Sequence, residues 1–258
     1  MRIRPKKSLG QHFLTDDNII EKIVDAIPAK TGDRVVEIGS GTGALTEGLI
    51  KRFDDLLAVE LDDRAITLLE RRFEGLAILH ANVLEVDWDE LSIGKAKTHV
   101  VGNLPYYITS QILFSLLKHR EVLSDAILMM QKEVAQRLVS GIRTKDYGIL
   151  SVQTQLMSSP EILFPVSRHC FSPPPSVESA MVLLTFDKGA LSCSDKGLKT
   201  VVRTAFNQRR KKIRNALKPI VSRDQLPNGF DFDKRAEAWL PSEYEKLTAH
   251  LEKNGILT

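Results

Sequence analysis

Cysteine is scarce. Cys170 and Cys193 are the only two in 258 residues. Two thiols make no disulfide framework, and a chain of this length buries roughly 70–75% of its unfolded surface without one. Reduced thiols in a cytoplasmic protein are the expectation. Long apolar runs are missing too: none approaches the roughly 20 residues a membrane helix needs, so no membrane partner is expected. The N-terminal stretch Met1-Arg2-Ile3-Arg4-Pro5-Lys6-Lys7 is basic but has no apolar core, and does not read as a secretory signal. No group of His, Cys and Asp has ligand spacing, so no metal is expected. Acidic residues are absent from 196 to 223, where ten Lys/Arg fall. The net charge of +3 thus divides into a basic block and a remainder of −7. Such asymmetry points to nucleic acid or to a solvated helix face.

The pattern present through residue 186 alternates strand-like and helix-like segments. Strands are predicted at 34–39, 56–61, 76–81, 98–102, 126–131, 151–156 and 180–186, and helices at 44–53, 64–73, 110–118 and 132–140. Continuous apolar runs such as Ala126-Ile127-Leu128-Met129-Met130 suit strands covered on both faces. Alternation of this kind implies an α/β fold with a parallel sheet, with room for an antiparallel strand at one edge. Asp187-Lys188-Gly189-Ala190 reads as a linker, and the rest is helical in pattern, with breaks at Pro219, Pro227 and Pro241. Two domains follow, 1–186 and a small all-helical 187–258.

Glu37-Ile38-Gly39-Ser40-Gly41-Thr42-Gly43 sits between the first strand and the first helix. Glycines allow close backbone approach to a ligand. The spacing is not that of the dinucleotide fingerprint, and an acid stands two positions before the first glycine. Glu60 ends the second strand, where a carboxylate can accept both ribose hydroxyls of an adenosine ligand. An acidic glycine-rich loop suits a cationic nucleoside without a diphosphate, and S-adenosylmethionine is such a ligand. Asn82, closing the third strand, reads equally as a turn residue or as a hydrogen-bonding partner for the donor adenine's amine or ring nitrogens. His12 and Leu14 lie upstream in Leu9-Gly10-Gln11-His12-Phe13-Leu14, where a lone His is more often structural than a ligand.

Asn103-Leu104-Pro105-Tyr106 follows the fourth strand. The Asn amide oxygen can accept from an exocyclic amine. Pro fixes its own φ near −65° and presents nearby carbonyls rigidly. Tyr106 offers a flat face for a flipped-out base.

These strings resemble the adenine dimethyltransferases of small-subunit ribosomal RNA, the kasugamycin-resistance type. The resemblance also rests on Val59-Glu60-Leu61-Asp62, Gln131-Lys132-Glu133-Val134-Ala135-Gln136-Arg137-Leu138, Phe171-Ser172-Pro173-Pro174-Pro175-Ser176-Val177-Glu178-Ser179-Ala180 and Phe206-Asn207-Gln208-Arg209-Arg210-Lys211-Lys212. It implies a Rossmann-like methyltransferase domain with a small helical C-terminal domain. It implies S-adenosylmethionine as donor and, as partner, the small ribosomal subunit or its precursor, two adjacent adenosines of which receive four methyl groups. The family's donor-binding positions fall on His12, Leu14, Gly39, Glu60, Asn82 and Asn103, with Gly41 in the same loop. His12 stands where Asn is commoner, and Asn82 where Asp is.

Asn103 and the Leu104 carbonyl are expected to hold the adenine amine, with Pro105 stiffening the loop. Tyr106 and Phe171 are expected to sandwich the base. On the residues alone, Phe171 reads equally as a core anchor for the Pro173-Pro174-Pro175 loop. Arg209, Arg210, Lys211, Lys212 and Arg214 are expected to grip RNA phosphates from a helix whose other face carries Val202, Phe206, Ile213 and Leu217, aided by Arg2, Arg4, Lys6 and Lys7. Nothing suggests a dimer seam, so a monomer is expected. Three rivals remain: a macrolide-resistance-type enzyme acting on large-subunit RNA, a DNA adenine or protein glutamine methyltransferase, and a non-catalytic assembly factor.

Overall fold

The computed structural model describes residues 3–6 and 10–257. They form two compact units. One comprises the chain up to Ala135 together with Glu161–Phe186; the other comprises Gln136–Pro160 and the chain from Asp187 onward.

The first unit is built on a seven-stranded sheet of order β4-β3-β2-β5-β6-β9-β7. Its strands are β2 (Arg34–Ile38), β3 (Leu56–Glu60), β4 (Ala77–His80), β5 (Thr98–Asn103), β6 (Asp125–Gln131), β7 (Ser159–Val166) and β9 (Ser179–Thr185). The pairs from β4 through β6 are parallel, and β9 runs antiparallel to β6. Between the parallel strands lie α2 (Ala44–Arg52), α3 (Asp63–Arg72), the short α4 (Trp88–Ser92) and α5 (Thr109–Lys118). The runs read as doubly covered are buried as expected: Val35, Val36, Val100, Val101, Ile127 and Leu128 are each 0% exposed.

The chain winds outward from β2 to β4, then returns to β5 on the other side of β2. The strand order reverses between β2 and β5, and at such a point the two following loops diverge and leave a crevice. Gly102 lets these strands close up, because a Cβ there would lie 2.6 Å from the Ile38 carbonyl oxygen across the β2–β5 pair.

Two segments depart from the sequence reading. Residues 17–25, to which it assigns no element, form helix α1 (Asp17–Asp25), started by the Asp16 carboxylate accepting from Ile19 N at 3.2 Å. Residues 151–156, predicted as a strand, lie in helix α7 (Ile149–Met157). Its alternation of Ser, Val, Gln and Thr mimics a period of two. In the structure Gln155 donates to the carbonyls of Leu138 and Ser140, both at 2.9 Å, at the end of α6 (Lys132–Val139). The strand follows as β7, whose Pro160 and Pro165 obscure it in sequence and suit its place at the sheet's edge.

The two-residue strands β1 (Phe13–Leu14) and β8 (Phe171–Ser172) pair separately, Leu14 opposite Phe171. Both join a core cluster with Ile23, Val35, Leu49, Val101 and Met129.

The second unit contains α7, α8 (Asp195–Asn207), α9 (Ile213–Ala216) and α10 (Pro241–Lys253). Gln136–Pro160 belongs to it, so the compact units do not divide at 186/187 as read from sequence. The reason is packing: Tyr147, 0% exposed, meets the Phe206 ring at 6.0 Å and donates its hydroxyl to the Trp239 carbonyl at 2.8 Å. The helix expected to run past residue 206 stops at Asn207 and restarts at Ile213, although Val202, Ile213 and Leu217 are all buried.

Candidate functional site

The crevice at the β2/β5 reversal is a cavity of about 1150 Å³, its open mouth included. His12, Leu14, Gly39, Gly41, Glu60, Asn82, Asn103, Leu104, Pro105 and Tyr106 all line it, brought from five separate stretches of chain. Glu37 lines it as well. No Lys or Arg does so among the described residues.

The donor side is built from the ends of β2, β3 and β4. Gly39 has φ +69°, and the space where a Cβ would stand is open, so backbone faces the cavity with nothing in front of it. Glu60, 7% exposed, accepts from Gly41 N at 2.8 Å on one oxygen and from Leu61 N (2.8 Å) and Asp62 N (2.9 Å) on the other. A carboxylate has about four lone-pair sites, so one remains for a ribose hydroxyl. A second hydroxyl must displace one of these amides. Glu37, 2% exposed, receives the Thr46 hydroxyl at 2.6 Å. Burial pushes its carboxyl up to about 7 against that hydrogen bond, and repulsion from Glu60 adds a smaller upward push. Asn82 caps a 3₁₀ turn: its Oδ1 accepts from Leu84 N at 3.1 Å and its Nδ2 donates to Glu85 at 3.2 Å. The turn role is thus occupied, while Oδ1, with two lone pairs, can accept one more hydrogen bond.

The acceptor side follows β5. Asn103 Nδ2 donates to the His12 carbonyl at 2.9 Å. A carbonyl only accepts, so this contact fixes which end of the amide is nitrogen. Leu104 N donates to Met129 O at 3.0 Å, while no donor among the described residues reaches the Leu104 carbonyl. The Tyr106 hydroxyl meets Ser179 Oγ at 2.6 Å, and burial raises its pKa above the ordinary value, so the phenol stays protonated. The His12 ring lies nearly parallel to that of Tyr106, centroids 6.0 Å apart and planes inclined by 23°, and its Nδ1 contacts Pro173 O at 2.8 Å.

Phe171 is not in the cavity wall. It is 4% exposed and packed in the core under the β1–β8 pair, so the sandwich expected with Tyr106 is not formed in this structure. Burying such a ring gains about 1.5–3 kcal/mol, which holds it inward. His12 faces Tyr106 instead.

Residues 209–212 of the basic string lie in the turn between α8 and α9, and Arg214 is on the short α9. Arg209 pairs with Glu237 at 2.8 Å and donates to the Thr144 and Lys145 carbonyls, both at 2.9 Å. Lys212 and Arg214 both pair with Asp233. Only Arg210 and Lys211, both exposed, have no ion pair among the described residues. Of the basic arm, Arg2 and Lys7 lie outside the described residues. The Arg4 carbonyl accepts from Arg64 at 3.0 Å, and Lys6 Nζ stands 3.9 Å from Asp62.

Sequence reasoning missed Gln11, Ser179 and the exposed Tyr107 as parts of this site. Gln11 carries no local signal, because its partner Asp62 is 51 residues away.

A model of the ribosomal RNA adenine dimethylase family matches residues 2–233. The chain belongs to that family. Among curated relatives, the ribosomal RNA small subunit methyltransferase A of Salinibacter ruber is 45% identical over 98% of this chain and 86% of its own length. That of Porphyromonas gingivalis is 43% identical over 98% and 100%. Among solved structures, a dimethyladenosine transferase from Plasmodium falciparum superposes with a TM-score of 0.81 at 25% identity, covering 95% of this chain and 99% of that one. The 23S rRNA methyltransferase ErmE, at 24% identity and a TM-score of 0.68 over 93% and 99%, shares the fold. The first unit is accordingly the family's Rossmann-like methyltransferase fold. S-adenosylmethionine fits the residues present: among the described residues two carboxylates and no Lys or Arg line the cavity, and the backbone at Gly39 stands open to it.

Proposed function

We propose that this chain transfers methyl groups from S-adenosylmethionine to the amines of two adjacent adenosines near the 3′ end of small-subunit ribosomal RNA, giving N6,N6-dimethyladenosine. It does so as a cytoplasmic monomer during small-subunit biogenesis. The observation that carries the reading is the polarity of Asn103. One N–H of its amide goes to the His12 carbonyl, which fixes the amide's orientation and leaves Oδ1 as an acceptor, and no described donor reaches the neighbouring Leu104 carbonyl. Two acceptors match the two hydrogens of an exocyclic amine. Family membership and the names of the relatives favour small-subunit RNA, whereas the large-subunit alternative has a shared fold behind it.

S-adenosylmethionine supplies an electrophilic methyl group on a sulfonium. Glu60 and Asn82 would hold the adenosine part, and Glu37 would add negative charge within the cavity once ionised, above about pH 7. The adenine amine is a weak nucleophile because its lone pair is delocalised into the ring. Asn103 Oδ1 and Leu104 O would accept its two hydrogens and favour a pyramidal nitrogen. A carbon–nitrogen bond then forms as the carbon–sulfur bond breaks. The surplus proton leaves to a carbonyl or to water, so no dedicated base is required. Much of the rate comes from placement. For the second transfer only one hydrogen remains, and one acceptor suffices. Tyr106, anchored through Ser179, would be the stacking face, worth about 1–3 kcal/mol per base.

Incubation with labelled donor and small subunits, large subunits or naked RNA tests the reading. Label should enter small-subunit RNA as dimethyladenosine; label in large subunits alone would refute it. Asn103→Ala should cut turnover by about 10²–10³-fold, the cost of losing one such polar contact, while donor binding by calorimetry stays within about fivefold.

A further inference from the structure

The N-terminal stretch is strapped across the cavity by one buried carboxylate. Asp62, 4% exposed, accepts from Arg64 N (3.2 Å) and Arg64 Nε (2.9 Å) on Oδ1, and from Gln11 Nε2 (3.0 Å) and Arg64 Nη2 (2.5 Å) on Oδ2. The Gln11 oxygen in turn accepts from Lys6 N at 2.9 Å. The next residue, His12, presents the carbonyl that orients Asn103. On the other side, Asp62 N donates to Glu60. A continuous relay therefore runs from Glu60 through Asp62 and Gln11 to His12 and Asn103. Hydrogen bonds from Arg64 hold the Asp62 carboxyl well below the usual carboxylate range, so it stays an acceptor at any ordinary pH.

We propose that Gln11 and Asp62 are positioning residues, a latch that holds the His12 carbonyl against Asn103 and so keeps the acceptor amide correctly polarised for the adenine amine. The proposal rests on the methyl-transfer reading above. Neither side chain needs to touch the base. Without the latch, the His12 carbonyl is held by the short β1–β8 pair and its Pro173 contact, and Asn103 is freer to rotate and present NH₂ where oxygen is required. Glu60 keeps its amide donors, so the donor side is left intact.

The test uses the full chain, small subunits lacking the modification and labelled S-adenosylmethionine. Gln11→Ala should lower kcat about tenfold or more, in line with the cost of slight misplacement, with donor Kd within about twofold and the melting temperature little changed. Gln11→Glu should be at least as slow, because two carboxylates then face each other. Lowering the pH protonates the new carboxyl, which can then donate to Asp62 Oδ2 as Gln11 does. Gln11→Glu should therefore regain part of its lost rate, relative to the unaltered chain, at acid pH. Unchanged kcat in Gln11→Ala would overturn the latch alone. So would a donor Kd that falls off in step with kcat, or a Gln11→Glu rate that keeps the same ratio to the unaltered chain's at every pH. No transfer by the unaltered chain would overturn the methyl-transfer reading and the latch with it.

Discussion

Asn103 and Glu37 show how much a single side chain is determined by what surrounds it. Asn103 is useful because its nitrogen is already committed; the same amide free in water would offer either end. Glu37 is set by burial. Its folded value near 7 lies above its ordinary 4.5, so the protonated form is favoured in the folded chain. That contribution to stability is complete below about pH 4.5, declines as pH rises toward 7 and is gone above it. Urea unfolding from pH 4.5 to 8 should show this decline, and Glu37→Gln should flatten it. Donor binding should run the other way, tightening as pH rises through about 7, because a cation prefers the ionised carboxylate. Asn82 keeps its cap, and an amide oxygen with two lone pairs has one left to accept with, so Asn here forgoes the charge of an Asp rather than a contact.

Among the elements, the β2–β5 pair bears most directly on the site, because both its loops build the cavity. Gly102→Ala would drive a Cβ against the Ile38 carbonyl at 2.6 Å. Overpacking of this kind costs about 1–3 kcal/mol, read as a lower urea midpoint with donor affinity reduced in parallel. The parallel strands were legible because doubly covered strands are continuous apolar runs. The site loops were legible because Gly39, Glu60 and Asn103 each end one. What was not legible depended on partners distant in sequence. Helix α7 imitates a strand until its Gln finds the end of α6, and Phe171 could read as pocket or core until β8 paired with β1. The basic turn after α8 belongs here too. Composition could not tell that Arg209, Lys212 and Arg214 are neutralised within their own unit. Arg210→Gln with Lys211→Gln should weaken RNA binding about equally for any sequence and reduce the salt slope of the affinity by about 1–2, with folding unaffected. Arg209→Ala should instead lower the melting temperature, since Glu237 and two carbonyls lose their donor.

At the scale of the whole molecule, the first unit carries a second ionised cluster at the end of the sheet opposite the cavity. His99 is buried between Asp125 (2.9 Å) and Asp33 (3.3 Å) at the starts of β5, β6 and β2. Burial opposes its charge, but the two carboxylates prevail and raise its pKa above the ordinary 6.5, while Asp33 is lowered despite its own burial. A raised imidazole stabilises fully below its unfolded value and loses that contribution as pH rises through the folded one. Stability should therefore fall further above pH 6.5, and His99→Gln should remove that second decline while leaving the one due to Glu37. The sheet also has a bearing on how safely the chain can be made. Its outermost strands are β4, four residues long, and β7, in which Pro160 and Pro165 have no amide hydrogen to offer. A stray strand finds few hydrogen bonds on either border, so a nascent chain emerging beside identical copies is protected against edge-to-edge aggregation.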